Sequence, residues 1–127
     1  MATIEMTADN FQTTIDNNDI VLVDYWAEWC GPCRAFSPIF DKAAEDNPDI
    51  AFAKCDTEKE RELASAFNIR SIPTLMVFRE GVLLYNQAGM LPPPALDELI
   101  TKVRDLDMEE VRKKIDEEQA AKAESAN

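Results

Sequence analysis

The chain is 127 residues long, 46% hydrophobic and 30% charged, with three glycines. This is a globular composition, unlike that of disordered or low-complexity chains, and long enough to bury a core without disulfide staples. Its 25 acidic against 13 basic residues leave a net charge of −12, so nucleic acid and anionic membrane surfaces would repel it, and no basic patch offsets that repulsion. No apolar run approaches the length needed to span a bilayer.

The first residues, Met1-Ala2-Thr3-Ile4-Glu5-Met6, lack the basic and apolar regions of a secretory signal, which leads to the expectation of a cytoplasmic protein. Thr3 to Met6 reads as a short edge strand, and Thr7 as the N-cap of a helix carrying Phe11 and Ile15 that ends near Asn17-Asn18. Ile20 to Trp26 is apolar without alternation apart from Asp24, the pattern of a strand covered on both faces. A helix is expected from about Pro32, since proline suits a first turn that needs no backbone donor, with Phe36, Ile39, Phe40 and Ala43 as its buried stripe. Pro38 lies inside that stripe and predicts a kink rather than two helices.

Ile50 to Cys55 reads as a second strand, parallel to the first because a helix connects them. Thr57-Glu58-Lys59-Glu60 has the form of a capping box opening a helix through Leu63, Ala64 and Phe67. After the connection Asn68 to Pro73, Thr74 to Arg79 and Val82 to Gln87 form a hairpin about Glu80-Gly81. Pro94 starts a last core helix with Leu96, Leu99, Ile100, Val103 and Leu106 as its apolar face. The order β-α-β-α-β-α-β-β-α defines an α/β protein with a central mixed sheet and helices on both faces, a monomer by default. Residues 105 to 127 hold eight acids, four bases and no aromatic residue. Residues 1–106 are therefore expected to form the domain and 107–127 an acidic C-terminal helical extension. Asp107 and Glu110 would cap that helix, Met108, Val111 and Ile115 would form its thin apolar stripe, and its end would fray.

The chemistry lies in Trp29-Cys30-Gly31-Pro32-Cys33, set directly after the first long strand. Two thiols two residues apart can close a disulfide and exchange it with another molecule, and they can equally form half of a zinc site. The metal alternative is starved of ligands, because the chain has no histidine and one further cysteine, Cys55. In a reducing compartment a close cysteine pair points to catalysis rather than to a structural staple. At a helix N-terminus, unpaired N–H groups and the helix dipole favour the thiolate. Cys30, nearest that end and nearest solvent, is expected to attack, and Cys33, one turn in, to be shielded and to resolve the mixed disulfide. Gly31-Pro32 adds no charge that would stabilise the Cys30 thiolate, which points to a reducing couple.

Asp24 interrupts a run that should be buried, where an unpaired carboxylate is costly and its proton affinity rises. It either faces a strand edge or caps something local, or lies beneath the helix close to Cys33 and takes the Cys33 proton during resolution. Lys54, on the adjacent strand, is the cation placed to reach it, against the alternative of a snorkelling surface lysine. Cys55 points to the other face and reads as a small buried hydrophobe, its alternative being an exposed regulatory thiol.

At Asp24-Tyr25-Trp26-Ala27-Glu28-Trp29-Cys30-Gly31-Pro32-Cys33 the sequence closely resembles the thioredoxin family. The resemblance extends through Pro38, Ala53-Lys54, Ile72-Pro73-Thr74, Glu80-Gly81 and Gly89, and so covers about residues 3 to 106. It implies a thioredoxin fold and a protein-disulfide reductase, with Cys30 as nucleophile, Cys33 as resolving thiol, Asp24 as proton acceptor and Lys54 as its partner. It further implies a cis bond before Pro73, with Ile72 offering backbone hydrogen bonds to an extended substrate, and a shallow groove completed by Trp29, Gly31, Pro32, Gly89 and Met90. The implied partners are disulfide-containing client proteins and a thioredoxin reductase that passes electrons from NADPH, so that the chain binds no cofactor of its own beyond the reversible Cys30–Cys33 disulfide. Two departures from the family stand out: Tyr25 replaces a commoner phenylalanine, and Met90-Leu91-Pro92-Pro93-Pro94 replaces a small, polar stretch. A disulfide oxidase or isomerase, and a binding module or chaperone subunit on the same fold, are the competing readings.

Overall fold

The computed structural model describes residues 2–125. Met1 of the expected domain and Ala126 and Asn127 of the expected extension lie outside the described residues. In chain order the elements are β1 (Thr3–Glu5), α1 (Phe11–Asn17), β2 (Ile20–Trp26), α2 (Gly31–Asp46), β3 (Ala51–Asp56), α3 (Arg61–Ala66), β4 (Thr74–Arg79), β5 (Val82–Ala88), α4 (Pro93–Asp105) and α5 (Met108–Ser125). The strands form one sheet in the order β1-β3-β2-β4-β5. β3 pairs in parallel with β1 and β2, whereas β4 runs antiparallel to β2 and β5. The sheet is mixed, as the element order predicts. The chain forms two compact units, Met1–Asp97 and Glu98–Asn127, with the boundary inside α4.

In the first unit the unbroken apolar run of β2 has the expected cause. On one face Val21, Val23 and Tyr25 join a core with Ile15 of α1 and Leu63 of α3, where Phe11 packs against Phe67 and Phe78. On the other, α2 lays down Phe36 and Phe40, and the Phe40 ring meets Phe52 of β3 edge-on at 5.2 Å. Burial of each such ring is worth about 2 kcal/mol or more, which fixes α2 over the face that carries Asp24. α2 runs through Pro38 as one helix.

Two local readings are corrected, and the expected hairpin is present. Thr7 and Asn10 do exchange hydrogen bonds, Thr7 N–H to Asn10 Oδ1 at 2.8 Å and Asn10 N–H to Thr7 Oγ1 at 3.2 Å, but they close a turn and the helix begins only at Phe11. Thr57 does not form the predicted capping box, because its hydroxyl donates to the Trp26 carbonyl at 3.1 Å while Glu60 accepts from Ala8 N–H at 2.7 Å. Asp56 caps that turn instead, accepting from the N–H groups of Glu58 and Lys59. The hairpin turn is the two-residue Glu80-Gly81, both at positive φ, 51° and 79°, as a type I′ turn requires.

In the second unit Ile100, Val103 and Met108 are buried, whereas Leu106 follows the last residue of α4 and is exposed, so the expected apolar face runs one residue too far. Asp107 Oδ1 accepts from the N–H groups of Glu109 and Glu110 and caps α5, which is continuous to Ser125. Among the described residues no helix is long and apolar enough to cross a membrane.

Candidate active site

β2 delivers the chain to Trp26, and the turn Ala27-Glu28-Trp29 closes when Cys30 N–H donates to the Ala27 carbonyl at 3.2 Å. Cys30 is then the N-cap of α2, with Pro32 in the first turn. The Cys33 N–H donates to Cys30 Sγ at 3.2 Å. In the reduced protein the same N–H, with the helix dipole, favours a Cys30 thiolate. The structure holds the pair as a disulfide, Cα–Cα 5.2 Å.

Exposure does not separate the two cysteines as expected, since they are 4% and 3% accessible. Cys30 lies under the Ile72-Pro73 segment, with its Sγ 3.8 Å from the Ile72 carbonyl oxygen. Their surroundings do separate them, because Cys33 lines a partly open cavity of about 110 Å³ together with Asp24, Trp26, Arg34, Ser37 and Lys54.

On the Cys30 side the Ile72–Pro73 bond is cis, as the resemblance implies, and the Pro73 carbonyl accepts from Gly89 N–H at 2.8 Å. Gly89 has φ +102°, a conformation that disfavours any side chain. Ile72, Pro73 and Gly89 are thus joined to the disulfide. Gly31 and Pro32 are exposed at the start of α2, and Trp29 is 66% exposed with its Nε1–H donating to Glu58 Oε1 at 2.9 Å. Met90, next to Gly89, is also exposed.

On the Cys33 side Asp24 is 1% accessible and its Oδ1 has no hydrogen-bond partner among the described residues. Burial pushes its carboxyl up to about 7; the charge of Lys54 opposes the rise and that of Asp41 adds to it. Asp24 and Lys54 are in register on β2 and β3, so they share a face. The Lys54 ammonium nevertheless forms its ion pair with Asp41 Oδ1 at 2.8 Å and donates to Ser37 Oγ at 2.7 Å. Lys54 is therefore neither a surface lysine nor directly paired with Asp24.

Sequence reasoning missed Asp41, Ser37 and Glu58. A signal for the first two was present: Cys33, Ser37 and Asp41 follow at four-residue steps and so lie on one stripe of α2. Cys55 is fully buried on the opposite face, where burial first, then Glu60, Asp56 and Asp24, pushes its thiol up to about 12. Among the described residues no group of three or more His, Cys, Asp or Glu side chains could hold a metal ion.

A dithiol pair closed at the first turn of a helix, on a mixed sheet whose interior sets a carboxyl behind the second sulfur, is the chemistry of a thiol–disulfide oxidoreductase. Comparison with known proteins narrows the class. The family model described as Thioredoxin matches residues 2–105. A Streptomyces coelicolor relative provisionally named thioredoxin 2 is 55% identical over 94% of this chain and 89% of its own length. The thioredoxin of Porphyra purpurea is 39% identical over 80% of this chain and 97% of that protein. A mutant thioredoxin from Halobacterium salinarum superposes with a TM-score of 0.77 at 33% identity, covering 83% of this chain and 93% of that one. The chain belongs to the thioredoxin family. It is a protein-disulfide reductant that works by dithiol–disulfide exchange through Cys30 and Cys33.

Proposed function

We propose that Cys30 is the attacking thiolate, Cys33 the resolving thiol and Asp24 the acceptor of the Cys33 proton. The observation that carries this division is that the buried Asp24 and Cys33 line one small cavity while Cys30 faces the Ile72-Pro73 segment. The Cys30 thiolate opens a client disulfide and forms a mixed disulfide, releasing one client sulfur as a thiolate. Cys33, losing its proton to Asp24, then attacks the Cys30 sulfur, so that the chain leaves as the disulfide and the client as a dithiol. Lys54 tunes Asp24 through its charge. Trp29, Gly31, Pro32, Ile72, Pro73, Gly89 and Met90 form the client groove, in which the backbone of Ile72 pairs with an extended client segment and Trp29 and Met90 supply exposed apolar contact.

The clients are disulfide-containing proteins, and a thioredoxin reductase returns electrons from NADPH, which makes the reversible Cys30–Cys33 disulfide the chain's own redox group. The protein acts as a cytoplasmic monomer whose domain is residues 1–106 and whose acidic extension is 107–127; the family match over residues 2–105 supports that division. The test is Cys33→Ser, which should accumulate client proteins on Cys30 as mixed disulfides that survive on a non-reducing gel. Release of those clients at the rate of the unaltered protein would remove Cys33 from the resolving role.

A further inference from the structure

One ammonium group stands between two cavities. Asp24 and Cys33 lie on the walls of the inner one, of about 110 Å³, while the outer one, of about 480 Å³, runs along β1 and is walled by Asp41. Trp26 and Lys54 line both and form the partition. Lys54 leaves β3 in register with Asp24, yet its Nζ sits 2.8 Å from Asp41 Oδ1 and 2.7 Å from Ser37 Oγ. Of the two carboxylates it could reach, the outer one holds it.

The choice matters chemically. An ammonium in contact with Asp24 would stabilise its carboxylate and make it a weaker base, whereas at longer range it leaves burial to set the proton affinity. We propose that Asp41, assisted by Ser37, is a positioning residue for the redox reaction: by tethering the Lys54 ammonium in the partition, it keeps Asp24 out of an ion pair and able to take the Cys33 proton. The proposal rests on the reading of Asp24 as proton acceptor. In the step concerned, the Cys33 proton moves to Asp24 as the Cys33 sulfur attacks Cys30. The Cys30–client bond breaks, the Cys30–Cys33 bond forms, and the client leaves as a thiolate that takes a proton from water. Asp24 later returns its own proton to water.

The groups that face Asp24 are Cys33 and Arg34 on the cavity wall from α2, Asp41 from the same helix, and Lys54 from β3. β4 places Leu75 in register with Asp24, and Cys55 feels its charge from the far face of β3.

The experiment is a pH titration of the Asp24 carboxyl in the reduced protein by carbon-13 NMR, run beside the pH profile of client-disulfide reduction. Asp41→Asn removes a negative charge that raises the proton affinity of Asp24 and also frees Lys54 to approach it, so both effects lower that affinity. The midpoint and the limb of the rate profile that follows it should move to lower pH by on the order of one unit. Ser37→Ala should move both less, in the same direction. In a Lys54→Met background Asp41→Asn should retain only the smaller part due to its own charge. A midpoint that stays put in Asp41→Asn, with only thermal stability reduced, would overturn the tether, as would a full-sized shift in the Lys54→Met background. An Asp24→Asn protein with the unaltered rate profile would instead overturn the acceptor reading, and with it the link from Asp41 to the reaction. The two failures are therefore distinguishable.

Discussion

Asp24 and Tyr25 are neighbours on β2, both fully buried, each with a side-chain oxygen that has no hydrogen-bond partner among the described residues, and they face opposite sides of the sheet. Their register partners on β3, Lys54 and Cys55, repeat the division. On the Asp24 side α2 brings Cys33 and Ser37 to the cavity that Asp24 lines, and Asp41 of the same helix holds the Lys54 ammonium nearby. On the Tyr25 side Phe67 packs toward the ring, the hydroxyl finds no acceptor, and burial raises both the Tyr25 hydroxyl and the Cys55 thiol. Desolvation perturbs titratable groups on both faces, but only the Asp24 face sets a cysteine of the redox pair beside open space, which is what the proposed proton transfer requires. A perturbed proton affinity alone therefore does not mark a site.

The sharpest way to break this comparison is the pH dependence of stability. The Asp24 carboxyl is raised in the folded protein from about 4 to about 7, so the folded state holds the proton more tightly than the unfolded chain does. Its stabilising contribution is complete below about pH 4 and is lost as pH rises toward 7. The shift corresponds to roughly 4 kcal/mol. Asp24→Asn should therefore be more stable than the unaltered protein at pH 8, by up to that amount in chemical denaturation, with the difference shrinking as pH falls from about 7 to about 4 and levelling off below that. Equal stability across the range would mean that Asp24 is solvated. Client reduction by the same variant should slow near neutral pH.

On the other face, Tyr25→Phe removes an unsatisfied buried hydroxyl and should stabilise the protein by about 1 kcal/mol, without altering the rate of client reduction. A loss of stability would reveal a hydrogen bond to that hydroxyl in solution. The smallest expected effect is at Cys55, where Cys55→Ala should leave turnover unchanged and the native thiol should resist alkylation until the protein unfolds. Rapid labelling of the folded protein would contradict its closed environment.

Much of the site was legible because its signals are local. The C-x-x-C spacing, a proline suited to a first helical turn and the apolar run before it place Cys30 as the N-cap of α2 without reference to distant residues. Asp24 was conspicuous as the one charge in a buried strand, but which face it took stayed open until the sheet and α2 were in place. The same local logic failed at Thr57, where the form of a capping box was present but Trp26, some thirty residues away, offered the hydroxyl a better-placed carbonyl.

By itself, then, the sequence determined the α/β order, the cysteine pair at a helix start and a lone acid in a buried strand, because periodicity, turn chemistry and capping act over a few residues. Tertiary structure alone decided which carboxylate holds Lys54, that Asp56 rather than Thr57 caps the turn before α3, and that Cys30 is covered by Ile72-Pro73. Each of these is a competition between partners far apart in the chain, and it is settled only when packing of α2 and the β3–β2–β4 core brings one of them within hydrogen-bonding distance.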